Sequence, residues 1–211
     1  MVAYRLSQKL HLRKESDAQR SPGIHLSGVL REIALATGEL DKKYGDQDLD
    51  ELIADTAPEE VGDDGVLMRI VMGLAWEDWL GPKIENAVYH PGEFCLNDIY
   101  ATPDAIGFDT EGGYLLHEIK GTFKSSRKDI TSIRIWMWQA MGYLMMMSER
   151  YQESCTKAVF HPLHYKGDYR GIDPEYCPTL IEFEPEEITS NWNMILTNKH
   201  LAKPEGVRAG A

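Results

Sequence analysis

Hydrophobic and polar positions along this chain alternate in recognisable periods. From about Ser27, the residues Val29, Leu30, Ile33 and Ala34 recur at helical spacing, and Thr37-Gly38 supplies a stop. Leu67, Ile70, Val71 and Leu74 repeat the i, i+3, i+4, i+7 spacing of a buried helix face, predicting a helix from Val66 to Leu80 before Gly81-Pro82. Residues 99–108 form an apolar segment and residues 114–119 read as a half-buried strand. The turn-rich Asp109-Thr110-Glu111-Gly112-Gly113 between them predicts a hairpin. Residues 130–150 are apolar over too great a length for a strand and are too interrupted by polar residues for a membrane span, so they predict a long helix. Residues 156–165 and 179–183 predict two further strands. Pro185-Glu186-Glu187 opens a C-terminal helix, with proline in the first turn and acids at the positive end. Residues 5–20 lack periodicity and read as an N-terminal arm (residues 1–20). The Gly- and Ala-rich tail, 204–211, reads as disordered.

Composition narrows the class. With 211 residues and 43% hydrophobic content, the chain is expected to form one domain with a sizeable core. It has no apolar run of membrane-spanning length, and residues 1–20 are too polar for a signal peptide, so a cytoplasmic protein without membrane association is expected. Cys95, Cys155 and Cys177 are widely spaced and suggest neither a disulfide framework nor a zinc ribbon. Met145, Met146 and Met147 suit adaptable helix packing. The formal charge of −12 argues against a polyanionic partner until its distribution is read. Residues 46–64 hold nine acids and no lysine or arginine. By contrast, Lys120, Lys124, Arg127, Lys128 and Arg134 are opposed only by Asp129, and Arg5, Lys9, Arg13, Lys14, Arg20 and Arg31 add positive charge near the N-terminus. A basic interior with an acidic exterior is compatible with DNA.

The chemistry concentrates in Pro103-Asp104 and, beyond the turn, Glu118-Ile119-Lys120. Strand alternation puts Glu118 and Lys120 on one face and His117 and Ile119 on the other. Two hard carboxylates beside a lysine suit Mg²⁺, with Mn²⁺ as a substitute. The lysine can orient or deprotonate water and offset phosphoryl charge, the chemistry of metal-assisted phosphodiester cleavage. Glu77 continues the apolar face of the predicted helix, where a carboxylate is costly unless paired. It reads either as a ligand to a metal or its water, or as a helix-end residue reaching solvent; Asp78 is the weaker alternative. Gln139 and Tyr143, four apart on the long helix, point together.

These residues resemble the PD-(D/E)xK nuclease superfamily. Pro103-Asp104 and Glu118-x-Lys120 match its defining motif, and Gly73-Leu74-Ala75-Trp76-Glu77 is similar to its Gly-x-x-x-Glu helix pattern. Gln139-x-x-x-Tyr143, nineteen residues after Lys120, resembles the RecB-like branch, with the layout of the lambda-type (YqaJ-like) phage exonucleases. The three cysteines argue against the iron–sulfur CRISPR-associated branch, whose cluster needs four. The resemblance covers residues 73–143. It implies an α/β fold with a restriction-endonuclease-like core, a central mixed β-sheet flanked by helices. It also implies a Mg²⁺-dependent DNA exonuclease acting on duplex ends in phage-type recombination or replication. In that reading Asp104, Glu118 and the Ile119 carbonyl bind metal, Glu77 completes the outer site, Lys120 handles water, and Gln139 and Tyr143 orient the site. Lys124, Ser125, Ser126, Arg127 and Lys128 contact DNA. A trimeric ring and a single-strand-annealing protein partner follow from the same resemblance. The alternatives are a structure-dependent endonuclease, a non-catalytic DNA-binding or assembly protein retaining the fold, and an interaction module whose acidic surface mimics DNA. The intact acids and lysine favour an enzyme.

Other candidates read as structural. His161 and His164, three apart, would face opposite sides of a strand; Lys166 and Arg170 flank a polar turn; Trp136 and Trp138 suit core or interface packing. No Walker loop is present.

Overall fold

The computed structural model describes residues 21–40, 66–122, 130–164 and 178–205, excluding the side chains at 66–72, 122 and 164. At its centre lies β6 (Tyr114–Thr122), nine residues long. It pairs antiparallel with β5 (Ala105–Phe108) and parallel with β7 (Lys157–His164). The edge strands β2 (Ala87–Tyr89) and β8 (Thr179–Glu182) complete the order β2-β5-β6-β7-β8. A parallel pair needs a crossover, and α3 (Arg134–Tyr151) lies on the chain between β6 and β7. A smaller mixed sheet joins β1 (Ile24–His25), β4 (Ile99–Ala101) and β3 (Phe94–Leu96) in the order β1-β4-β3. The helices α1 (Leu26–Thr37), α2 (Val66–Leu80) and α4 (Pro185–Asn198) complete a mixed α/β architecture consistent with a restriction-endonuclease-like core.

The periodicities explain most of this. Val29, Leu30, Ile33 and Ala34 are all buried on α1, and the helix stops at Gly38, whose φ of 75° is the left-handed conformation glycine tolerates. Leu116 on β6 packs with Leu30 of α1, Leu144 of α3 and Ile195 of α4 in the main core. Gly142 lets α1 approach α3: a Cβ there would lie 2.9 Å from Leu26 Cδ2. Met146 and Met147 are buried in that core, with Trp136 and Trp138 packed against it. The acids that open α4 form a reciprocal capping box between Glu184 and Glu187.

Several boundaries differ from the sequence reading. The segment 99–108 is not continuous: it leaves the small sheet after Ala101 and joins the large one at Ala105, with Pro103 buried at the switch and Asp104 between the two sheets. The long helix begins at Arg134, not at residue 130. Residues Ile130–Ser132 make one 3-10 turn, and Ile133, with ψ of 82°, breaks the helical ladder before its carbonyl accepts the amides of Trp136 and Met137. Within the tail, Glu205 pairs with Gly23 through both its amide and its carbonyl. His161 lies within β7, on the strand its sequence predicts. The arm 1–20, the acidic stretch 46–64, Lys166, Arg170 and residues 206–211 lie outside the described residues. Among those described, no helix is long and apolar enough to cross a membrane.

Candidate active site

Asp104, Glu118 and Lys120 converge because the β5–β6 hairpin aligns them. Its turn is tied by Asp109 Oδ1, which accepts the amides of Glu111 and Gly113 at 2.9 and 2.8 Å. Asp109 Oδ2 meets Lys157 Nζ at 2.8 Å, which anchors the turn to β7. With register set by Ala105 opposite His117, Asp104 Oδ2 accepts the Ile119 amide at 2.7 Å. Strand alternation then brings Lys120 Nζ to 2.6 Å from Glu118 Oε2 and 3.9 Å from Asp104 Oδ2. Glu118 is completely buried, and among the described residues its Oε1 has no hydrogen-bond partner.

Beside Asp104 and Lys120 lies a cavity of about 220 Å³ lined by Glu77, Asp104, Ile119, Lys120, Gln139 and Tyr143, with the α1 entry closing another side; Glu118, fully buried, does not line it. Glu77 is buried, and its Oε1 lies 3.1 Å from His90 Nε2. It is therefore not a helix-end carboxylate reaching solvent; Asp78 beside it is the exposed one. Gln139 Nε2 donates to the Tyr143 hydroxyl at 2.9 Å, as their four-residue spacing implied.

Electrostatics follow from burial. Desolvation raises the Glu118 pKa; Lys120 opposes the rise, and Asp104 and Glu77 reinforce it. Burial works against the Lys120 ammonium, but Glu118 and Asp104 outweigh it and hold its pKa above the usual lysine range. Burial also raises the Tyr143 pKa, with the nearby Glu118 charge adding to the effect, so its hydroxyl stays neutral.

Sequence reasoning missed the places that four histidines take. His90, at φ 52°, binds Glu77 through its side chain and the Asp104 carbonyl through its amide at 3.0 Å. His25, buried on β1, lines the cavity. His117 Nδ1 and His161 Nε2 meet at 3.0 Å on the face of the sheet opposite Glu118. Burial lowers both of their pKa values to about 4. The 44-residue separation of that last pair left no local signal. The basic loop with Lys124, Ser125, Ser126, Arg127 and Lys128 lies outside the described residues.

The donor set suits a hard divalent cation: carboxylate oxygens, one of them buried and unsatisfied at Glu118. Among the described residues, no three His, Cys, Asp or Glu side chains are already gathered as a metal cluster. The Lys120 ammonium is the cation that faces Glu118 and Asp104 here.

No protein-family model matches the chain, and no curated protein matches it. Solved structures do. SSO0001 is similar at 17% identity and a TM-score of 0.51, over 93% of this chain and 86% of that one. LHK-Exo in complex with dAMP is similar at 15% identity and a TM-score of 0.42, over 85% of this chain and 88% of that one. The first likeness is one of fold alone. The second is too distant to carry an argument.

Proposed function

We propose that this chain is a Mg²⁺-dependent deoxyribonuclease that hydrolyses phosphodiester bonds at DNA ends. The observation that supports it best is the convergence of Asp104, Glu118 and Lys120, with Lys120 Nζ 2.6 Å from one carboxylate and 3.9 Å from the other, beside a cavity that also takes in Glu77, Gln139 and Tyr143. Asp104 and Glu118, with the Ile119 carbonyl, would hold the metal, and Glu77 would complete the outer part of the site. A bound Mg²⁺ would supply Lewis acidity and lower the pKa of an attacking water.

The side chains divide the remaining work. Lys120, paired with both carboxylates, would position or activate the attacking water and offset charge on the phosphoryl oxygens. Tyr143, a neutral hydroxyl whose oxygen accepts from Gln139, keeps its proton to donate into the cavity. His90 holds Glu77 toward the cavity by its 3.1 Å contact. The finer assignments rest on the resemblance: exonuclease action on duplex ends, a homotrimer, an annealing-protein partner, and DNA contacts from Lys124, Ser125, Ser126, Arg127 and Lys128.

The test is incubation of end-labelled linear DNA and closed circular DNA with Mg²⁺, each with a chelator control. Mononucleotide release from linear DNA, abolished by chelation, is expected, with circular DNA spared. Cleavage of the circle would turn the assignment to an endonuclease. Absence of metal-dependent cleavage on both substrates would refute an enzyme.

A further inference from the structure

A groove of about 650 Å³ lies where α3, α4 and β8 meet, and it shares no lining residue with the cleavage cavity. Met137 is buried in it, while Trp138, Met141, Ile181 and Met194 are half-buried, packed against the main core on one side and lining the groove on the other. Unbranched thioethers reshape around an occupant, so a methionine-lined groove between helices suits the docking of a chain segment. Along α4 the lining runs from Glu186 to Met194, about 12 Å of helix.

Two observations say what chemistry belongs there. Asn191 lines the groove and is only 6% exposed. Its Nδ2 donates to the Trp138 carbonyl at 3.0 Å, which fixes the amide, because the atom facing a carbonyl must be the nitrogen. The remaining atom, Oδ1, is a buried acceptor that meets no donor among the described residues. Leaving such an acceptor unmade is unfavourable, and a donor brought by an occupant removes the penalty. The second observation is charge. Glu182, Glu186 and Glu187 are exposed on the rim, and among the described residues no lysine or arginine lines the groove. Glu187 is engaged in the capping box of α4, and Lys157, opposite Glu182 in the sheet, is already paired with Asp109.

We infer that this groove docks a short segment of a partner protein in which apolar side chains are interspersed with lysine or arginine. The apolar side chains enter between Trp138, Met141 and Met194, one N–H donates to Asn191 Oδ1, and the cations meet Glu182 and Glu186. Apolar burial supplies the affinity, and the acidic rim sets orientation and rejects acidic segments. The same rim repels phosphate, so a nucleic-acid strand is the wrong occupant. The inference does not depend on the cleavage reading.

The experiment measures binding of three labelled synthetic peptides to the full chain by fluorescence anisotropy. The probe is a leucine–lysine peptide of about ten residues, roughly 15 Å long as a helix. Its controls, of equal length, replace lysine by glutamate or leucine by serine. The leucine–lysine peptide should bind roughly tenfold or more tighter than either control. Ser190→Arg and Glu186→Lys, both at exposed positions on the groove, should each remove that advantage. Neutralising acids within residues 46–64 should leave it intact, which separates the groove from a general attraction to an acidic chain. In nuclear magnetic resonance spectra the Asn191 side-chain amide should shift as the peptide saturates. Equal affinity of the leucine–lysine and serine–lysine peptides, binding untouched by both groove substitutions, or an unmoved Asn191 amide would each overturn the assignment. So would self-association of the unaltered chain that Ser190→Arg abolishes, because the groove would then belong to a second copy.

Discussion

Replacing Lys120 by Met should leave the buried Glu118 carboxyl without the cation that faces it. Methionine keeps the length and apolar stem of lysine, so the change is mainly one of charge. Glu118 has no exposure, and Lys120 Nζ at 2.6 Å is the cation facing it. Removing one partner of a buried ion pair commonly costs about 3–5 kcal/mol, a large part of the ~5–15 kcal/mol that holds a domain together. The cost should depend on pH. The folded-state pKa of Glu118 already lies above its ordinary value of 4.5, and without Lys120 it rises further. Below 4.5 the folded and unfolded chains are both protonated at this residue and the penalty is absent. As pH rises above that value, the unfolded chain ionises while the folded chain holds its proton, so stability falls with rising pH. With Lys120 in place the folded-state Glu118 pKa is about 8, so the two proteins part only above that value, where the unaltered protein ionises and Lys120→Met does not. Urea unfolding at about pH 6 and about pH 9.5 should therefore show the smaller loss at the lower pH and the larger one at the higher. Glu118→Gln combined with Lys120→Met should recover most of the loss at the higher pH, because the amide carries no charge. An equal loss at both pH values, or a double variant no more stable than Lys120→Met, would refute the reasoning.

In crystals soaked with Mn²⁺ or Mg²⁺, density should lie about 2.0–2.2 Å from an oxygen each of Asp104 and Glu118; density elsewhere would remove these residues as ligands. Lys120→Ala should lower cleavage by ~100-fold or more, and turnover equal to that of the unaltered protein would take the lysine out of the mechanism. Glu77→Gln should cause a smaller defect, partly rescued by raised metal concentration, and a defect insensitive to metal would make its role structural. Joint substitution of Lys124, Arg127 and Lys128 should flatten the slope of log affinity against log salt by about two to three units. Neutralising acids within residues 46–64 should leave that slope unchanged. A slope insensitive to the triple substitution would place the DNA path elsewhere.

What was legible in the sequence is what has short range. Strand alternation was enough to put Glu118 and Lys120 together, and Asp109 to Gly113 were recognisable as the turn bringing Asp104 alongside. The faces of α1 and β7 followed their periods for the same reason. Strands β2, β3 and β4, three residues each, are too short to display a period, and their pairing is decided by partners distant in sequence. The switch between sheets at Pro103 therefore looked like the interior of one strand. His90 reaches Glu77 from a left-handed backbone conformation across 13 residues, and no spacing rule anticipates that. The exposed Trp79 was hidden differently: an apolar residue within an apolar helix reads as core until its surroundings are known.

The hydrogen bond from the Ile119 amide to Asp104 makes one proton a built-in sensor. In the hairpin register Ile119 falls opposite Pro103, yet its amide is taken by the neighbouring carboxylate and not by strand backbone. A change in what Asp104 binds must therefore be felt at that nitrogen, in its resonance frequency and in its rate of exchange with deuterium. Asn at position 104 can still accept this bond through its amide oxygen, whereas Ala cannot. Comparing the two replacements separates the acid as a piece of the hairpin from the acid as a charge, in the same residue and with no substrate present.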